Sequence, residues 1–197
     1  MKEQQTGDRR ANALGDGRAF VVRIEQRCTA PAEVVYDLLA DLRSHLEWAG
    51  ALQGKKTRLV ALEAPEGPAA VGTEFESTGA DPMGRFSDRS VVTEAVRPGA
   101  FEFVTEARLE TKKGEPVDWT VVHRFDLSPD GIGCRIVATD RVTRISALPG
   151  MLAMFKIPVL RSLAAKVAAA VARRGVKNLA SLAERQAPAG WAGSPDR

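Results

Sequence analysis

The chain has 197 residues, 44% of them hydrophobic and 27% charged, with 28 Lys and Arg against 25 Asp and Glu and a net charge of +3. That length suits one domain with a sizeable core and is short for two. The small basic excess, without basic runs interleaved with aromatics, carries no footprint of nucleic-acid binding, so no such partner is expected.

Residues 1–17 mix Gln, Thr, Gly, Asp and Arg with little apolar content and are expected to form a disordered N-terminal tail. They hold no apolar h-region, so neither a signal peptide nor a spanning helix is read there, and a cytoplasmic protein is expected. From Phe20 the pattern changes: Phe20, Val22 and Ile24 alternate with Val21, Arg23 and Glu25, the period of a strand with one buried face, ending near Cys28. Thr29 or Ala30 then caps a helix with Pro31 in its first turn, because Val34, Val35, Leu38 and Leu39 recur at helical spacing. Asp41 interrupts this run and is expected to cap a shorter helix containing Leu42, Leu46 and Trp48.

Between Lys56 and Thr143 the signals are those of about six strands separated by turn residues at 63–72, 79–84, 97–99, 112–116 and 128–133. Alternation sorts their faces. Phe101, Phe103, Thr105, Ala107 and Leu109 share one; Val117, Trp119, Val121, His123, Phe125 and Leu127 share another; Cys134, Ile136, Ala138, Asp140 and Val142 share a third. Cys28 and Cys134 are the only cysteines, lack any metal-ligand spacing, and are expected as buried, reduced thiols.

After Pro149 the period lengthens. Leu160, Leu163, Val167, Val171, Leu179 and Leu182 fall on one helical stripe, with Pro158 separating this helix from the apolar stretch before it. The stripe also carries Ala164, Ala168, Ala170 and Ala172, which either leave unfilled space between helix and sheet or serve helix propensity. The order is strand, two short helices, six strands and one long helix: an α+β domain over residues 18–186, with residues 187–197, rich in Pro, Gly and Ala, as a disordered C-terminal tail. An antiparallel sheet of this size has one apolar face to cover, and the C-terminal helix is the only long element available to cover it.

Three stretches carry a family resemblance. IEQRCTAPAEVVYDLLADLRSHLEW (24–48), AVGTEFE (70–76) and WTVVHRFDLSPDGIGCRI (119–136) resemble the START-like, or SRPBCC, superfamily, nearest its polyketide cyclase/dehydrase and lipid-transport branch. The one visible departure is Gly-Cys-Arg at 133–135, where such hairpins often carry Gly-Thr-Arg. The resemblance implies a helix-grip fold, a curved antiparallel sheet of about seven strands wrapped round a long C-terminal helix, with a cavity between them for an apolar small molecule. Its motifs specify scaffold rather than chemistry.

His123 and Asp140 are the candidate catalytic pair. A hairpin centred on Asp130–Gly131 puts them on one face as diagonal neighbours, and an imidazole beside a carboxylate in an apolar cavity acts as a general base or orients a ligand carbonyl or hydroxyl. The competing reading satisfies His123 within the core and pairs Asp140 with Arg141 or Arg144 at the sheet edge. Trp48, Phe75, Phe86, Phe103, Trp119, Val121 and Phe125 are the candidate ligand-contacting wall, with Trp48 placed by the resemblance near the cavity mouth. Within 147–160, Met151, Leu152, Met154 and Phe155 form a lid, or dip into a membrane surface beside the basic Arg161, Lys166, Arg173, Arg174 and Lys177, or simply begin the gripping helix.

No GxGxxG, P-loop, HExxH or GxSxG motif occurs, and two histidines with unspaced cysteines make no metal site, so neither metal nor cofactor is expected. The leading expectation is a protein that binds a lipid-like or aromatic, polyketide-like small molecule. The alternatives are a polyketide cyclase or dehydratase using His123 and Asp140, and a lipid carrier with transient membrane contact. Either a monomer or a homodimer is expected.

Overall fold

The alternating segments form one sheet. The computed structural model describes residues 20–111, 116–146 and 158–188, the side chains of Phe20, 158–165 and 167 excepted. Strands β1 (Phe20–Cys28), β2 (Arg58–Glu63), β3 (Glu74–Ala80), β4 (Gly84–Val96), β5 (Ala100–Thr111), β6 (Pro116–Asp130) and β7 (Gly133–Ile145) pair antiparallel in the order β1-β7-β6-β5-β4-β3-β2. Helix α1 (Ala32–Ala40) and two short turns lie between β1 and β2, and helix α2 (Pro158–Gln186) follows β7. This is the expected seven-strand α+β helix-grip architecture. Successive strands from β2 to β7 are spatial neighbours, so most pairing is local in sequence.

The start of α1 departs from expectation. Pro31, extended at φ −61° and ψ 155°, is itself the residue that precedes the helix, and Ala32 is the first helical position. Proline's fixed φ suits that place as well as the first turn. No side chain caps the helix; the Pro31 carbonyl accepts from Val34 and Val35 instead. Thr29 is occupied elsewhere, its backbone N–H donating to Glu184 Oε1 of α2 at 2.9 Å. Asp41 heads a 3-10 turn (Leu42–Ser44) through its carbonyl, which accepts from Ser44 N–H, and not through its carboxylate. The expected short helix then continues as a wide π-helical turn, Leu46–Ala51.

Burial follows the alternation on β5, β6 and β7, and the core joins Ile24, Phe101, Phe125 and Ile136 of the sheet with Val35 and Leu39 of α1 and Val176, Leu179, Ala180, Leu182 and Ala183 of α2. Helix α2 packs against β1, α1 and the π-helical turn. Of the alanines expected on its sheet-facing stripe, Ala168 and Ala172 do pack against the core, whereas Ala170 is exposed, since it lies two residues from each and so on another side of the helix; the side chain of Ala164 is among those not described.

Polar bonds fix α2 in place. Gln53 Nε2 donates to the Val171 carbonyl at 2.9 Å, and Asn178 Nδ2 donates to the Trp48 carbonyl at 2.9 Å and to Gln53 Oε1 at 3.2 Å. The two cysteines are free and buried, directly opposite one another on β1 and β7; the Cys134 thiol donates toward the Cys28 sulfur, which lowers the Cys28 pKa and raises that of Cys134. Among the described residues no helix is long and apolar enough to cross a membrane.

Candidate functional site

The β6–β7 hairpin brings together the pair singled out from sequence, in a tighter arrangement than expected. The two-residue loop is Gly131–Ile132, one residue beyond the Asp130–Gly131 centre, with Asp130 opposite Gly133. Gly131 holds φ 65°, the left-handed conformation such a loop needs at its first position. Moving the centre by one residue moves every cross-strand partner by two. His123 therefore sits directly opposite Asp140 rather than diagonal to it, and the alternative partners Arg141 and Arg144 fall on the opposite register or beyond it.

His123 Nδ1 and Asp140 Oδ1 are 2.7 Å apart. A carboxylate only accepts, so Nδ1–H donates, and in its neutral form the ring presents Nε2 as an acceptor. Both residues point from the concave face of the sheet, yet each retains 28% of its side-chain surface accessible. The sheet is sealed where Phe101 and Ile136 lie and open where this pair lies.

Aromatic rings support the histidine. Phe103, directly opposite on β5, stacks on His123 with centroids 4.8 Å apart and planes at 27°. Phe103 in turn meets Phe75 edge-on at 5.4 Å and lies 5.9 Å from the ring of His45. His45, between the 3-10 and π-helical turns, is buried, and its Nε2–H donates to the Leu39 carbonyl at 3.1 Å. Burial pulls its pKa down from 6.5 to about 4, with the charge of His123 adding to that push, so the ring is neutral at physiological pH and its Nδ1 is an acceptor.

Asp88 on β4 completes the polar stripe. It faces the concave side opposite Ser77, whose hydroxyl donates to Asp88 Oδ2 at 3.4 Å, while Oδ1 is buried without a hydrogen-bond partner. Burial raises the Asp88 pKa to about 6, against the opposing pull of His123. One row along, the hydroxyls of Ser90 and Thr105 bond to each other at 2.9 Å. The sequence reading missed Asp88 and His45. For Asp88 the signal existed, since Phe86, Asp88, Ser90 and Val92 alternate inward against Arg85, Ser87 and Arg89; for His45, in an irregular turn, no periodic signal exists.

Of the expected wall, Phe75, Phe103, Val121 and Phe125 are buried on the concave face, and Phe86 and Trp119 stand on the same face partly accessible. Trp48 is not at a mouth. It is only 7% exposed, packed between His45 at 4.7 Å and Phe125 at 6.2 Å, because the π-helical turn rolls it inward. Met151, Met154 and Phe155, with Leu152, lie outside the described residues. Among those described, a groove of about 690 Å³ lies on the outer side of α1 and the turns, beside Asp37, Asp41 and Glu47, and one of about 360 Å³ on the outer sheet face beside Arg89 and Arg108; neither lies between sheet and α2. No group of three or more metal-ligating side chains occurs among the described residues.

No protein-family model matches the chain, and no curated protein matches it. Solved structures do resemble it. An uncharacterized protein from Rhizobium leguminosarum is 14% identical with a TM-score of 0.60, over 85% of this chain and 96% of that one. A protein from Thermus thermophilus is 21% identical with a TM-score of 0.58, over 86% of this chain and 100% of that one. A major latex-like protein from Panax ginseng is 7% identical with a TM-score of 0.54, over 84% and 98%. Likeness at such low identity is likeness of fold, and the fold these structures share with this chain is the helix grip.

Proposed function

We propose that this protein binds a small molecule with an apolar, ring-bearing or lipid-like body, held between the concave face of the sheet and α2, as the START-like resemblance implies. The observation that carries the reading is the accessible His123–Asp140 pair, set on a concave face whose other side chains are chiefly aromatic and aliphatic. A concave apolar surface with a few convergent polar groups is the usual form of a small-molecule site. Burial supplies affinity, at about 25 cal/mol per Å² of apolar surface removed from water, and the polar groups fix orientation.

The 2.7 Å contact favours one second reading. Asp140 holds the His123 ring in the tautomer that leaves Nε2 free to take a proton from a bound carbonyl compound, as a cyclase or dehydratase requires. Under that reading His123→Ala abolishes turnover and leaves apolar-dye binding nearly intact.

Two measurements test the binding reading together. Native mass spectrometry of the protein purified from its own host is expected to show a copurified small molecule. Titration with Nile red, a neutral apolar dye, is expected to saturate at one dye per chain. A bare protein mass together with no saturable dye binding overturns the proposal.

A further inference from the structure

The polar inventory of the concave face is lopsided toward acceptors. Asp88 Oδ1 is buried and unpartnered. His123 gives its Nδ1–H to Asp140, so that its neutral form presents Nε2 as an acceptor, and His45 gives its Nε2–H to Leu39, leaving Nδ1. The Ser90 and Thr105 hydroxyls satisfy each other. His45 and His123 flank the Phe103 ring, at 5.9 and 4.8 Å, and Asp88 stands on the same face of the neighbouring strand β4, four residues from Val92, the partner of Phe103. Against them stands a single unpartnered buried donor among the described residues, the Trp48 indole N–H.

The charge is equally one-sided. The inward positions described on β1 and β3 to β7 include Asp88 and Asp140 and no Lys or Arg; Arg85, Arg89, Arg108, Arg124, Arg135 and Arg141 alternate outward, and Arg144 is exposed opposite Thr120, beyond the irregularity in the β6–β7 register. An anion entering this face meets these carboxylates with no Lys or Arg among the described inward strand positions to offset them, and desolvation makes the repulsion stronger than in water.

We infer that the site selects apolar, ring-bearing molecules whose polar end donates hydrogen bonds, a protonated amine before a neutral hydroxyl, and rejects carboxylate-headed ligands of the fatty-acid kind. The inference rests on the ligand-binding reading above and adds the chemical class of the ligand head. An ammonium or hydroxyl placed over the stripe supplies the donor that Asp88 Oδ1 lacks and the proton that His123 Nε2 can accept in a hydrogen bond. The ring lies against Phe103, Phe86 and Trp119. Both donors make charge-assisted hydrogen bonds to a carboxylate, and the ammonium adds the attraction of its own charge, which sets the order of the two.

Three probes with one ring body separate the possibilities: 1-naphthylmethylamine, 1-naphthalenemethanol and 1-naphthoate, titrated calorimetrically against the full chain at neutral pH. The amine is expected to bind about tenfold or more tighter than the carboxylate, with the alcohol between them. Asp88→Asn is expected to lower amine affinity several-fold and alcohol affinity less. Carboxylate binding equal to or tighter than amine binding overturns the inference while leaving the ligand-binding reading intact. Failure of all three probes, together with failure of Nile red, sinks the parent reading and this one with it. An amine preference unchanged in folded Asp88→Asn and Asp140→Asn also overturns the assignment, and the ranking in the unmodified protein decides the matter should either variant not fold.

Discussion

Asp88 and His45 respond to pH in opposite senses. Burial holds the Asp88 pKa at about 6, above its ordinary 3.8, so the native state binds that proton more tightly than the unfolded chain. Its contribution is fully present below pH 3.8 and is lost as pH rises through about 6. His45 is depressed from 6.5 to about 4; its contribution is present above pH 6.5 and is lost as pH falls through about 4. The two slopes oppose one another across the same window, so neither is visible alone. Asp88→Asn removes one of them. Relative to the unmodified protein, its stability gain is expected to be near zero at pH 4 and to grow to at most about 3 kcal/mol above pH 6, read by urea unfolding at several pH values. His45→Gln is expected to change the slope in the other direction, and a pH-independent difference in both variants contradicts the buried-group account. Neither residue's environment was legible from sequence: a pKa shift depends on what lies across the sheet, and Asp88 shows only as one polar letter in an alternating strand.

At the scale of elements, the hairpins were legible and their register was not. Turn residues at 128–133 mark the β6–β7 connection, but Asp130–Gly131 and Gly131–Ile132 are both acceptable centres by composition. Which one forms is decided by positive φ at Gly131 and by the Phe125↔Ala138 and Leu127↔Ile136 pairs it brings into the core. The β3–β4 hairpin shows a tighter constraint: the Phe86 ring lies over Gly79, its direct partner, where a Cβ would stand. The Arg58 carbonyl oxygen of β2 stands 2.5 Å from the same position, so Gly79→Val is expected to cost about 1–3 kcal/mol or more through displacement of both, measured by thermal melting; an unchanged melting temperature contradicts this close packing. The first turns of the chain illustrate the opposite failure. Leu42, Leu46 and Trp48 have the spacing of a short helix, yet a 3-10 turn followed by a π-helical turn satisfies the same spacing loosely and rotates Trp48 inward.

For the whole molecule, the decisive contact is that of α2 with β1, α1 and the π-helical turn. Leu179 is completely buried there, beside Val176, Ala180 and Ala183. Leu179→Ala is expected to cost about 2–5 kcal/mol, seen as a lower urea midpoint. Retention of the full midpoint means that α2 does not hold the sheet closed. The sequence by itself determined the element order, the seven strands and the inward faces of β5, β6 and β7, because period-two and helical patterns are local properties that burial imposes on every such strand and helix. It also determined that His123 and Asp140 share a face. Only the tertiary structure decided that they touch, that Asp88 and His45 join them, and that Trp48 belongs to the core. Those facts depend on strand register and on how an irregular turn rolls against a distant helix, and such relations arise from packing between segments far apart in the chain rather than from any pattern within one segment.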